Sequence, residues 1–492
     1  MTESVSPGLR GKLTTSKIVL LVIAAAAPLA AVVGTVPLAF ALGNGVGVPG
    51  MFVFAGLVLL CFSVGYAAMS RRIVNAGGFY TYLSLGLGRP TAVGGGLVAV
   101  VSYNAAAIGL VGAFGYFAQL TASQLGVNLP WEVWTAGALV LIGVLGYRQI
   151  DVSARVLSVL MVAEIAVLTV LDVAVIAHRG AQALPATSMA PGSVFSGAVG
   201  VTMMFAFMSF IGFESAALYG EETTNPRRSV PVATYVSVVV IAVFYALTSW
   251  VAVGGVGIGQ LRAVAGQQLG NLFFALSTQY VSPVLTTIMQ VFLCTSLLAA
   301  TLALHNATNR YTFVLGRERV LPRWLGAAHR RHHSPSRASI VQTAVSVVVV
   351  GAFAVAGLDP YTSLATSTLG LGTLGIVVLQ AAAAVSVLGF FRRRPDRHWW
   401  RTGVAPLLGA VGLAGAAVLL LINFPVLTGT DNPVVNALPW LLAAATVGGL
   451  GYAVWLRRRR PERYAGIARA EIRSDEDESA VLERESVAAP AA

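Results

Sequence analysis

The chain has 492 residues, 56% of them apolar and 11% charged, and its mean hydropathy is +0.77. Soluble domains carry about 25% charged residues, so a water-soluble globule is excluded and an all-α polytopic membrane protein is expected. The net charge of +12 would suit a nucleic-acid surface only if the charges clustered on a folded domain, and they do not.

A helix needs roughly 20 apolar residues to cross the hydrocarbon core, and twelve such stretches succeed one another after a short lead, residues 1–17. The first, Ile18 to Leu42, contains Pro28, Gly34 and Pro37 around Ala30 to Val36, and reads as an interrupted helix. It is too long for a cleaved signal and lacks the small-residue cleavage site of one. Pro49 to Ser70 and Val93 to Leu120 follow, the latter carrying Asn104, and then Pro130 to Gly146 and Val152 to Ala177. Glu164 lies 12 residues into this fifth span, roughly 18 Å deep at 1.5 Å per residue. A charge there costs at least about 2.5 kcal/mol and is usually kept for function; the other reading is a protonated or hydrogen-bonded core carboxyl that holds two helices together. Asp172, nearer the outer end, reads as structural.

The sixth span, Ser196 to Tyr219, contains Gly197, Gly200 and Gly212 around Met208 to Glu214 and reads as a second interrupted helix, with Glu214 just beyond the break. The remaining spans are Val230 to Val253, Val281 to Ala303, Ala338 to Ala356, Tyr361 to Gly389, Val404 to Ile422 and Ala437 to Leu456. One membrane domain thus covers 18–456; if it consists of two repeats of five helices, these fall at 18–177 and 196–389 with two extra helices at 404–456, and a polar tail, 457–492, is expected to be disordered. Backbone groups freed at membrane depth are tolerated only where they line a cavity. The first and sixth helices correspond in a five-plus-five repeat, so their breaks are expected to face each other. Half-helix N-termini there can receive a carboxylate, and freed carbonyls an ammonium group.

Alternate connectors divide the basic residues unevenly. The side holding the termini has 30 of 32, and the other only Arg179 and Arg262. Cytoplasmic loops carry the Lys/Arg excess, which predicts cytoplasmic termini and traces the basic charge to topology, with the lipid bilayer and no nucleic acid as partner. Cys61 and Cys294 lie in apolar runs, and His329, His332 and His333 sit among arginines without ligand spacing, so no metal is expected. The chain lacks a P-loop, an HExxH motif and a GxSxG elbow; neither a cofactor nor an enzyme is expected. A membrane-embedded sensor would need an appended domain, and connectors of about 30 residues are too short for one. A channel would need polar rings along one helix, which are not found.

Ser209-Phe210-Ile211-Gly212-Phe213-Glu214-Ser215-Ala216, with Glu221-Glu222-Thr223-Thr224-Asn225-Pro226-Arg227-Arg228-Ser229-Val230-Pro231, resembles the sixth helix and following loop of the amino acid, polyamine and organocation permeases. Asn75-Ala76-Gly77-Gly78-Phe79-Tyr80-Thr81-Tyr82, Asn309-Arg310-Tyr311 and Gly316-Arg317-Glu318-Arg319-Val320-Leu321-Pro322 are similar to the same family, so the likeness extends over essentially Ile18 to Leu456. It implies a LeuT-like fold of 12 transmembrane helices with a 5+5 inverted repeat, helices 1 and 6 discontinuous, carrying amino acids or related small amines across the plasma membrane. It also implies that the backbone at Val33, Gly34 and Thr35 takes the substrate carboxylate, that carbonyls at Ser209, Phe210 and Ile211 take its amino group, with Met208 and Gly212 bordering them, and that Asn104 is a polar contact. Glu214 matches the family's glutamate near the inner gate.

The chain also departs from the family. Met208 stands where several exchangers carry a gating tryptophan, and a methionine cannot clamp a guanidinium by cation–π contact, which argues against an arginine-specific exchanger. Val33-Gly34-Thr35-Val36-Pro37 replaces a Gly-Ser/Thr-Gly pattern, and Glu164 stands where the cationic amino acid branch has a lysine. The glutamate inverts the charge, leaving open both proton binding by Glu164 and cation binding beside it. Proton-coupled symport, using Glu164 and Glu214, is the leading expectation; exchange and sodium coupling are the alternatives.

Overall fold

The structure, a computed structural model, describes residues 14–73, 78–148, 154–216, 223, 225–329, 332, 334–392 and 394–468. The first 13 residues, Glu221 and Glu222, and the predicted tail beyond Ala468 lie outside the described residues. Within them every regular element is helical, and ten helices are long and apolar enough to cross a membrane. At the other two predicted positions stand the helices Trp131–Arg148 and Trp440–Arg459, of 18 and 20 residues.

The chain opens on α1 (Thr15–Ala25) and α2 (Pro28–Leu42), which share the place of the first predicted span. α3 (Val48–Ser70), the short α4 (Gly78–Leu87) and α5 (Arg89–Gln124) follow, and then α6 (Trp131–Arg148), α7 (Ala154–Arg179) and α8 (Val199–Ser209). The long helices of the second half are α9 (Pro226–Val256), α10 (Pro283–Arg317), α11 (Ser336–Val355), α12 (Thr366–Phe391), α13 (Ala405–Ile422) and α14 (Trp440–Arg459), the last followed by a short α15 (Pro461–Gly466). A π-wound turn, Pro360–Ala365, leads directly into α12, and the Asp359 carboxylate caps it by accepting the N–H groups of Tyr361 and Thr362.

α5 is the central pillar, packed on α10, α12 and α14, while α3 packs on α9 and α13. Lipid tails are as apolar as leucine, so helices associate through close backbone contact at small residues rather than by escaping water. Hydroxyls inside the spans bond back to the carbonyl four residues earlier, as Ser102 does to Val98 at 2.7 Å, which hides their polarity from lipid.

The interruption of the first helix falls at Ala26 and Ala27, ahead of the stretch Ala30 to Val36, and Val33, Gly34 and Thr35 lie inside α2. Proline decides the position. Pro28 has no N–H to offer α1, and its ring drives the preceding residue out of the α region; Ala27 takes the left-handed conformation, φ 46°. Pro28 then starts α2 at a place where its missing donor costs nothing. Gly34 by itself does not stop the helix, and Pro37 is carried within it.

A side chain at Ala27 is strained in this conformation, so Ala27→Gly is expected to raise stability by about 0.5–1 kcal/mol. Ala27→Val is expected to lower it, since a β-branched residue tolerates positive φ worst. Thermal unfolding of the two variants in detergent, against the parent, checks both directions.

Candidate functional site

α8 stops at Ser209; Phe210, Ile211 and Gly212 form a turn, and residues 213–216 continue as a tighter helical turn. Gly212 has φ 110°, and a Cβ on it would lie 2.8 Å from the Ala25 carbonyl oxygen. The two interruptions are therefore in contact, the α1 C-terminus lying against the turn that ends α8. The Ala26 carbonyl freed at the break accepts the Tyr245 hydroxyl of α9 at 3.2 Å. Thr35 and Ser209 join the two broken helices again through their hydroxyls, 2.8 Å apart.

Beside this contact is a cavity admitting the centres of water-sized groups over about 70 Å³. A site for one water takes roughly 10–15 Å³ on that measure, so it holds about half a dozen atoms of that size. Its floor is the break itself, with Ala25, Ala26, Ala27, Ala30 and Ala31, and Gly34 and Thr35 continue the same wall. Met208, Ser209 and Ile211 face them from the second broken helix, and α5, α10 and α12 close the rest through Leu110, Leu297 and Leu369. The lining side chains are uncharged. The α2 N-terminus, the positive end of its dipole, borders the cavity; the α1 and α8 C-termini bring negative ends to the same place.

Of the residues singled out from sequence, Gly34, Thr35, Met208, Ser209 and Ile211 are brought together at this cavity. Val33 is fully buried elsewhere, Phe210 packs on Tyr245 with ring centres 6.1 Å apart, and Gly212 serves the contact with Ala25. Asn104 lies outside the lining, and its Oδ1 is buried without a hydrogen-bond partner.

Glu164 is 5% exposed. Its Oε2 accepts the Ser296 hydroxyl of α10 at 2.9 Å and the Leu29 N–H at 3.4 Å. Leu29 is the second residue of α2, so this carboxylate from α7 caps the helix that begins after the break. Glu214 turns back on its own segment, accepting the Gly212 N–H at 3.1 Å, while the Tyr103 hydroxyl donates to its other oxygen at 2.8 Å. Tyr66 donates to the Glu214 carbonyl at 3.3 Å, and Tyr311 stacks on Tyr103 with centres 5.6 Å apart. Asp172 takes the Thr248 hydroxyl at 2.7 Å and ties α7 to α9.

Two residues that hold the candidate site escaped the sequence reading. Tyr361, in the π-wound turn, donates to the Gly34 carbonyl at 3.0 Å and stacks on Tyr116 at 4.7 Å, roofing the cavity. Tyr103 holds Glu214; its one sequence signal was its place beside Asn104 on a central span.

The profile of the family described as "Amino acid permease" matches residues 13–450. An uncharacterized transporter of Mycobacterium tuberculosis is 26% identical over 434 residues, 86% of either chain. The branched-chain amino acid permease BcaP of Bacillus subtilis is 26% identical over 80% of this chain and 83% of its own. The low-affinity putrescine importer PlaP of Escherichia coli is 22% identical over 71% of this chain and 75% of its own.

Two glycines are expected to separate folding from binding. Gly34 has open space where a Cβ would go and lies inside α2, where alanine is favoured over glycine, so Gly34→Ala should melt no lower than the parent while narrowing the cavity and weakening ligand-induced thermal shifts. Gly212→Ala forces a methyl group against the Ala25 carbonyl and should destabilise by about 1–3 kcal/mol, read as a lower melting temperature with or without ligand.

Proposed function

The chain belongs to the amino acid permease family, and from that premise we propose that it is a secondary transporter moving amino acids or related small amines across the plasma membrane by alternating access. The reading takes the two helices at Trp131–Arg148 and Trp440–Arg459 as spans, giving twelve with a five-plus-five repeat and cytoplasmic termini. The observation that carries it is the contact between two interrupted helices beside a cavity that both of them line, the arrangement in which half-helix ends hold a zwitterion near the midplane. The substrate carboxylate goes to the α2 N-terminus at Ala30, since the Leu29 N–H is taken by Glu164 and the Ala31 N–H by the Ala27 carbonyl, and its ammonium group goes to the carbonyl ends of α1 and α8 near Ala25 and Ser209. The uncharged wall favours an aliphatic neutral amino acid. A diamine would leave its second ammonium against Leu110, Leu297 and Leu369, with no counter-charge.

Coupling to protons follows from electrostatics at one helix end. While ionised, Glu164 occupies the positive end of α2 through the Leu29 N–H, and a substrate carboxylate arriving there meets a like charge. Protonation removes that internal anion and leaves the helix end to the substrate, so proton and substrate bind together. Glu214, bonded to Gly212 and to Tyr103, fastens the second broken helix to α5 at the side that carries the arginine-rich loops, the place of an inner gate.

Substrate uptake into liposomes under an imposed pH gradient tests the scheme, after a thermal-shift screen of amino acids and amines has identified a ligand by its mass-action stabilisation. Accumulation is expected to collapse with the gradient; accumulation that persists without it and requires sodium would exclude proton coupling. Glu164→Gln should bind substrate independently of pH, at the affinity the parent reaches in acid, and lose gradient-driven accumulation. Asp172→Asn should keep both properties, and equal loss in the two variants would remove Glu164 from the coupling role.

A further inference from the structure

The chain does not leave the protein after α14. α15 turns it back, and Ile467 and Ala468 are buried, Ile467 at 1% exposure. Their main-chain groups are bonded to the body of the protein. The Ala468 N–H donates to Glu318 Oε2 at 3.0 Å, the Ser84 hydroxyl to the Ala468 carbonyl at 3.4 Å, and Arg89 Nε to the Ile467 carbonyl at 3.1 Å. The Arg89 guanidinium also lies over the Tyr464 ring, 5.5 Å from its centre. Arg463 and Tyr452 both reach the Arg319 carbonyl, at 3.4 and 3.0 Å.

These contacts converge on α4. Tyr80 of α4 donates to the same Glu318 oxygen that receives Ala468, and Ser84 is on α4 as well. The other flank of α4 belongs to the Glu214 cluster: the Phe79 N–H donates to the Tyr311 hydroxyl at 3.2 Å, and the Tyr82 ring meets Tyr66 at 4.8 Å. Tyr311 stacks on Tyr103, which holds Glu214. One short helix thus has the gate aromatics on one side and the segment Tyr464 to Ala468 on the other. Movement of α4 away from α10 must break both sets of bonds.

We propose that Tyr464 to Ala468 form a C-terminal strap that clamps α4 to the end of α10 and holds the Glu214 gate shut, so that releasing the strap lowers the cost of opening on that side. This rests on the transporter reading of the gate, although the clamp is measurable without any transport. Ala468 is suited to a two-way test, because it adopts φ 49° and donates the N–H that closes the clamp. Ala468→Pro removes the donor and forbids that φ; Ala468→Gly adopts it without strain.

The reporter is the substitution Ala216→Cys, at a position fully buried two residues beyond Glu214, in full-length protein whose Cys61 and Cys294 have been replaced by alanine. Labelling of the introduced thiol by a polar maleimide is followed in purified, monodisperse protein without substrate. Ala468→Pro is expected to label about fivefold faster, the ratio for losing one net hydrogen bond, and a chain ending at Arg460 at least as fast; Ala468→Gly should label no faster than the parent. Equal rates in the proline variant and the parent overturn the strap. Should the shortened chain fail to fold, the proline and glycine variants decide alone. Absence of any transported substrate would count against the transporter reading and leave the labelling comparison standing.

Discussion

A broken helix in lipid leaves main-chain donors and acceptors that water cannot reach, each worth several kcal/mol if unpaired. The rest of the site depends on how this chain meets that constraint. The Ala26 carbonyl goes to Tyr245, the Leu29 N–H to Glu164, and the Gly212 N–H to Glu214. The same three contacts fix where α9, α7 and the turn after α8 stand around the cavity. Satisfying the break and shaping the cavity are therefore a single act of packing.

The two carboxylates answer that constraint differently. Glu164 reaches across from another helix and depends on α2 staying where it is; a shift of α2 relative to α7 changes its partners at once. Glu214 is anchored within two residues of itself at Gly212 and carries its environment along when its segment moves, except for the bond to Tyr103. A group tied to a distant helix senses the relative position of the two, whereas one tied locally acts as a fastener. Charge at depth is costly in either place.

Much of the architecture was legible because a span announces itself by length and hydropathy alone, and the helices lie where the apolar runs are. The turn after Ser209 was legible from glycine at Gly212, whose positive φ no side chain would favour. The position of the first break was not. Gly34 and Pro37 lie in the same apolar run as Pro28, and only local geometry distinguishes a proline that starts a helix from one carried inside it. Nor could the partners of the carboxylates be read: Ser296 is 132 residues from Glu164 and Tyr103 is 111 from Glu214, and no local pattern encodes such pairings. Asn104 and Tyr103 make the same point in miniature, since one residue of register decides which of two polar side chains meets Glu214.

The roof over the cavity is built asymmetrically: Tyr361 supplies a side chain, and Gly34 supplies only its main-chain oxygen. An amide oxygen is common to every amino acid, so no exchange at position 34 can delete the acceptor. Inheritance can therefore tune how firmly this lid closes through position 361, or through the Tyr116 ring stacked on it, but scarcely through the opposing helix. Divergence in lid strength among descendants of this chain would be recorded on one side of the pocket only.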